Sequence, residues 1–173
     1  MLYRSCRLRL ATPDAFDTAS ERAARERAGG REDGGMSEKY RTEASNGDGG
    51  AGISSVTGGL SVAVASPLNP DRDPAASNPE QLLALAWATC LNATARVFVD
   101  RERRSAVRVE VELHDAAEGP GYEFHVDAYL SVEGADNAET ERVLAQAHAR
   151  CPVSKLLKDA ATVRVHVEEY AVS

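Results

Sequence analysis

The chain has 173 residues, enough for one domain whose core needs no disulfide staples. Its apolar content of 43% contains no run of about 18 uncharged apolar residues, so the expectation is a soluble globular protein with no membrane partner. A net charge of -7 disfavours nucleic acid, because a phosphate backbone would meet mostly carboxylates, and three cysteines make no secreted disulfide framework. A reducing cytoplasm is the expected setting, where a cysteine pair is more often catalytic or metal-binding than structural.

In chain order, residues 1–35 differ in kind from the rest. They carry seven arginines and no lysine, and end in Gly29-Gly30-Arg31-Glu32-Asp33-Gly34-Gly35 before Met36. Any helix here is polar on most faces and has no second element to bury against, so the segment reads as a disordered leader outside the natural domain, 36–173, with Cys6 a bystander. Leu60 to Ala65 alternates and meets Pro67, which predicts a strand running into a proline- and Asp/Asn-rich loop over Ser66 to Ser77. Asn78-Pro79-Glu80-Gln81 then predicts a helix start, with Asn78 as N-cap, Pro79 at N1 and Gln81 closing a capping box. The run Leu82 to Val99 is apolar on almost every face, as in a centrally buried helix.

Val107, Val109, Val111 and Leu113 alternate with Arg108, Glu110 and Glu112, and Tyr122 to Leu130 alternates likewise around a Gly119-Pro120-Gly121 turn. That pattern predicts a β-hairpin. A second helix is expected from about Asn137 to Ala149, a short helical segment after Cys151-Pro152, and a last strand over Thr162 to Tyr170. The predicted class is α+β, one antiparallel sheet covered by helices.

The chemistry gathers at two thiols in different settings, Cys90 inside the apolar helix and Cys151 heading Cys151-Pro152-Val153-Ser154-Lys155. Singly, each has a packing explanation: a cysteine on an apolar stripe is core, and Glu80 at N2 simply suits the helix dipole. The four histidines show no ligand spacing, so no metal site is expected.

Together, Asn78-Pro79-Glu80-Gln81-Leu82 through Thr89-Cys90 and Ala147-His148-Ala149-Arg150-Cys151-Pro152-Val153-Ser154-Lys155 resemble the OsmC/Ohr family of organic hydroperoxide reductases. The resemblance covers Tyr40 to about Tyr170. It implies an antiparallel sheet packed on a central buried helix and a second helix, in an intertwined homodimer. The activity it implies is a thiol peroxidase with no metal or bound cofactor, which reduces organic hydroperoxides and is recycled by a dithiol such as a dihydrolipoyl group. By position Cys90 is the peroxidatic nucleophile, Cys151 resolves it as a disulfide, and Glu80 completes the site with an arginine. The Ohr branch carries that arginine in Gly-Gly-Arg, where this chain has Gly49-Gly50-Ala51; the OsmC branch takes it from the loop before the helix, where this chain offers Arg72. The alternative function is an OsmC-like stress-associated or small-molecule-binding protein with little turnover.

Overall fold

The computed structural model describes residues 37–171. The expected leader therefore lies outside the described residues, and the elements below all belong to one compact unit, Thr42–Ser173. Three short strands come first: β1 (Ala44–Asn46), β2 (Ile53–Val56) and β3 (Ser61–Ala63), paired antiparallel in the order β1-β2-β3. Only β3 falls within a predicted strand. The first two lack an alternating apolar face, being Ala-Ser-Asn and Ile-Ser-Ser-Val, and are held by ladder bonds and by polar contacts such as Asn46 Nδ2 to Ser54 Oγ at 3.0 Å.

Helix α1 (Pro79–Ala95) begins where the capping signal puts it: Asn78 Oδ1 accepts the Gln81 amide at 2.8 Å, and Pro79 occupies the first turn. Half of the capping box is replaced, because the Gln81 side chain accepts from the Ser77 hydroxyl at 3.1 Å instead of reaching back to the cap amide. Strands β4 (Ser105–Asp115) and β5 (Tyr122–Val132) form the predicted hairpin, with Val107 opposite Leu130, Val109 opposite Ala128 and Val111 opposite Val126. Gly119 and Gly121 take the positive φ values that their connection needs. Helices α2 (Asn137–Arg150) and α3 (Pro152–Leu157) follow, and β6 (Val163–Val167) closes the chain.

The α+β expectation holds, with two differences of detail. The strands form two three-stranded sheets, and β6 pairs with β5 in parallel. The helical crossover α2–α3 returns the chain to the starting end of β5, and such a connection joins parallel strands, whereas a short turn would join antiparallel ones.

One core lies between the larger sheet and the helices. Trp87, Leu91 and Ala95 of α1 meet Val126, Ala128, Leu130 and Val132 of β5 and Val143, Leu144 and Ala147 of α2, with Cys151 at its edge. Leu91 is fully buried, so Leu91→Ala is expected to cost about 3 kcal/mol, read as a lower midpoint in urea unfolding with an unchanged slope. A loss below about 1 kcal/mol would mean the site relaxes around the cavity. The expected all-round burial of α1 is not found within one chain: Leu85 is 64% exposed. Gln81, Ala84, Leu85 and Ala88, at helical spacing, instead line an open apolar groove with Val109 of β4.

Candidate active site

The two thiols are delivered by different packing events. Cys90 sits in the fourth turn of α1, one turn beyond Trp87, and packs against the core while remaining partly exposed. Cys151 ends α2, donating its amide to the Ala147 carbonyl at 2.8 Å, and heads α3, where Pro152 supplies a first helical residue that needs no hydrogen bond. It is fully buried. The sulfurs lie 3.3 Å apart with both thiols free, so residues 61 positions apart in sequence are brought together.

Their environments push the two thiols in opposite directions. Burial raises the Cys90 thiol above its ordinary range, Cys151 adds to the effect, and the Val153 amide offsets part of it. Burial alone would raise Cys151 as well. The Ser154 amide and hydroxyl, Cys90 and the Val153 amide outweigh that cost and hold its pKa down. None of these donors makes a formal capping hydrogen bond to the sulfur, so the effect is their sum. Beneath them the Trp87 indole Nε1 donates to Ser154 Oγ at 2.9 Å, in fully buried surroundings. Sequence reasoning passed over Trp87 and Ser154; their positions one turn from Cys90 and three residues after Cys151 were the available signal.

Glu80 and Arg72 do not join the thiols within one chain. Glu80 is at N2 of α1, ten residues before Cys90, which is about 15 Å along a helix axis. It lines a cleft of about 470 Å³ with Ser66, Pro67, Leu82, Leu113 and Tyr122, and its Oε2 is buried without a hydrogen-bond partner. Arg72 is half-buried in the loop before α1, its amide bonded to the Asn69 carbonyl at 3.2 Å, and is not among the residues lining that cleft. Among the described residues, no cation hydrogen-bonds to either sulfur. In the same region no cluster of His, Cys, Asp and Glu is arranged to hold a metal, and no helix is long and apolar enough to cross a membrane.

This arrangement has relatives. Residues 71–166 match the family model described as OsmC-like protein. The chain is 34% identical over 126 residues to an organic hydroperoxide resistance protein-like sequence of Mycoplasma pneumoniae, covering 69% of this chain and 87% of that one. It is 34% identical over 101 residues to organic hydroperoxide resistance protein OhrA of Bacillus subtilis, covering 54% and 69% respectively. Among solved structures, an organic hydroperoxide resistance protein OsmC of Legionella pneumophila superposes with a TM-score of 0.67 at 27% identity, over 78% of this chain and 100% of that one. The family match includes the Asn78 helix start and both thiols, and the likeness of fold extends over nearly the whole described unit; the chain belongs to the OsmC-like protein family.

Proposed function

We propose that this protein is a cytoplasmic, cysteine-based peroxidase that reduces organic hydroperoxides to alcohols at the expense of a dithiol. The observation that carries the reading is the pair of free sulfurs 3.3 Å apart, one reached by solvent and the other buried. Of the two, Cys90 is the one a peroxide can reach, being partly exposed where Cys151 is buried. Its thiolate attacks the terminal peroxide oxygen, the O–O bond breaks, and the alkoxide leaves as the alcohol after taking a proton, with Cys90 oxidised to a sulfenic acid. Cys151 then attacks the Cys90 sulfur and expels water, forming the disulfide. A bond of about 2.05 Å needs the sulfurs to close by little more than 1 Å, a side-chain adjustment. A dithiol such as a dihydrolipoyl group takes up the oxidation and restores both thiols.

Glu80 and Arg72 belong to this reading as contributions from a second copy of the chain. A carboxylate in an apolar cleft with an unpartnered oxygen is costly by itself, and a partner subunit's site is where it would find a donor. A specific observation also favours the second reading, a stress-associated or small-molecule-binding protein with little turnover: burial raises the Cys90 thiol, and among the described residues no cation bonds to it.

Steady-state assay with cumene hydroperoxide and dihydrolipoamide separates the two. Turnover consuming one dithiol per peroxide supports the peroxidase, whereas no turnover with both thiols intact supports the binding protein. Because the Cys90 thiol is held above the ordinary range, little of it is thiolate at neutral pH, and the rate of its first oxidation should climb steeply from pH 6 to 8, approaching tenfold per pH unit. A flat profile over that interval would mean that Cys90 is already ionised.

A further inference from the structure

The buried Trp87–Ser154 hydrogen bond spans the two segments that carry the thiols, α1 and the start of α3. We propose that Ser154, fixed by the Trp87 indole, is a positioning residue for the sulfur of Cys151 as a leaving group, so that the reducing dithiol attacks the Cys90 side of the Cys90–Cys151 disulfide. The inference rests on the disulfide of the proposed function and assigns the direction of its reduction.

Three observations carry it. First, access is one-sided: Cys151, Trp87 and Ser154 are 0%, 0% and 1% exposed, while Cys90 is partly exposed. An incoming thiolate meets only Cys90. Second, the indole N–H is a donor with no acceptor capacity, so at 2.9 Å it takes one lone pair of the Ser154 oxygen and leaves the hydroxyl proton free to turn toward the Cys151 sulfur. Third, Cys151 caps α3, so the Val153 and Ser154 amides lie two and three residues beyond its sulfur in the first turn, and together with the Ser154 hydroxyl they outweigh burial and favour its charged form. Exchange is faster when the expelled sulfur is the better-stabilised thiolate. In the step, the dithiol's thiolate forms a bond to the Cys90 sulfur, the Cys90–Cys151 bond breaks, and its electron pair leaves on Cys151 beside Ser154. The second thiol of the dithiol then attacks its own partner sulfur in the mixed disulfide, closes a ring disulfide and releases Cys90. Two electrons pass from dithiol to protein, and each released thiolate takes up a proton from solvent.

The test uses the full chain oxidised with diamide, which forms the disulfide without any peroxide step. A brief reaction with limiting 2-mercaptoethanol, followed by acid quenching, alkylation with N-ethylmaleimide and peptide mass spectrometry, is expected to place the mixed disulfide on Cys90 and the alkyl label on Cys151. The reverse labelling overturns the inference and leaves the peroxidase reading standing; failure of diamide to form the disulfide overturns both. Ser154→Ala should slow reduction by dithiothreitol severalfold, since a less acidic leaving thiol is expelled more slowly. In a Cys90→Ser background it should also move the ultraviolet thiolate titration of Cys151 to higher pH. Ser154→Thr, which keeps the hydroxyl, should restore both. An unmoved titration and rate in Ser154→Ala would reduce Ser154 to an acceptor for the indole and sink the assignment.

Discussion

Cys90→Ser is expected to abolish peroxide turnover, a loss on the order of 10³-fold or more, because it removes the one sulfur of the pair that is open to solvent. Cys151→Ser should behave differently. Its Cys90 still reacts once, so the protein consumes one equivalent of hydroperoxide and stalls as a sulfenic acid that dimedone traps or excess peroxide over-oxidises. In the unaltered protein one equivalent should produce a Cys90–Cys151 disulfide, seen as the loss of two titratable thiols and as a linked peptide pair by mass spectrometry. On the proposed mechanism, the 3.3 Å gap should let condensation outrun over-oxidation, since the second thiol is already in place when the first is oxidised. Both thiols remaining free after complete consumption of peroxide would end the mechanism.

Mixing two inactive variants should recover activity. Glu80→Ala is expected to lower turnover about 10²-fold if the carboxylate orients the reacting groups. Within one chain it cannot do so, for about 15 Å of helix separates it from Cys90. A second copy can bring it there. The stripe Gln81, Ala84, Leu85 and Ala88 is small and apolar enough for α1 to pack on its two-fold mate, and Val109, Val111 and Leu113 of β4 continue the uncovered surface toward Glu80. A heterodimer of Cys90→Ser and Glu80→Ala subunits would hold one complete site and one doubly defective site. With random exchange half of the dimers are mixed, so about a quarter of the parental activity should return. Sedimentation should show a dimer throughout, and Leu85→Glu should shift it toward monomer with loss of turnover. Proven subunit exchange without recovery, or an active monomer, would count against a shared site.

The features legible in the sequence were those written in short-range pattern. Asn78-Pro79 announced α1 because capping is settled by residues three apart, and Asn78 does accept the Gln81 amide. The β4–β5 hairpin was legible because sustained alternation favours a register in which Val107, Val109 and Val111 each face an apolar partner. The motifs around Cys90 and Cys151 marked the two thiols from the resemblance they carry. Strands β1 and β2 were not legible, since three or four small polar residues carry no periodic signal, and the parallel setting of β6 depends on where the α2–α3 crossover returns the chain.

By itself, then, the sequence determined which segments are helix or hairpin and singled out the two sulfurs that the fold brings together, because those properties are local or are carried by motifs. Only the tertiary structure decided what depends on approach from elsewhere in the chain. It set the sulfurs 3.3 Å apart and tied Trp87 to Ser154 beneath them. It also left Glu80 with an unpartnered oxygen and one face of α1 uncovered. A thiol's acidity, a carboxylate's partner and a helix's buried face are all set by groups that packing brings near, and residues distant in sequence state none of that until the chain has folded.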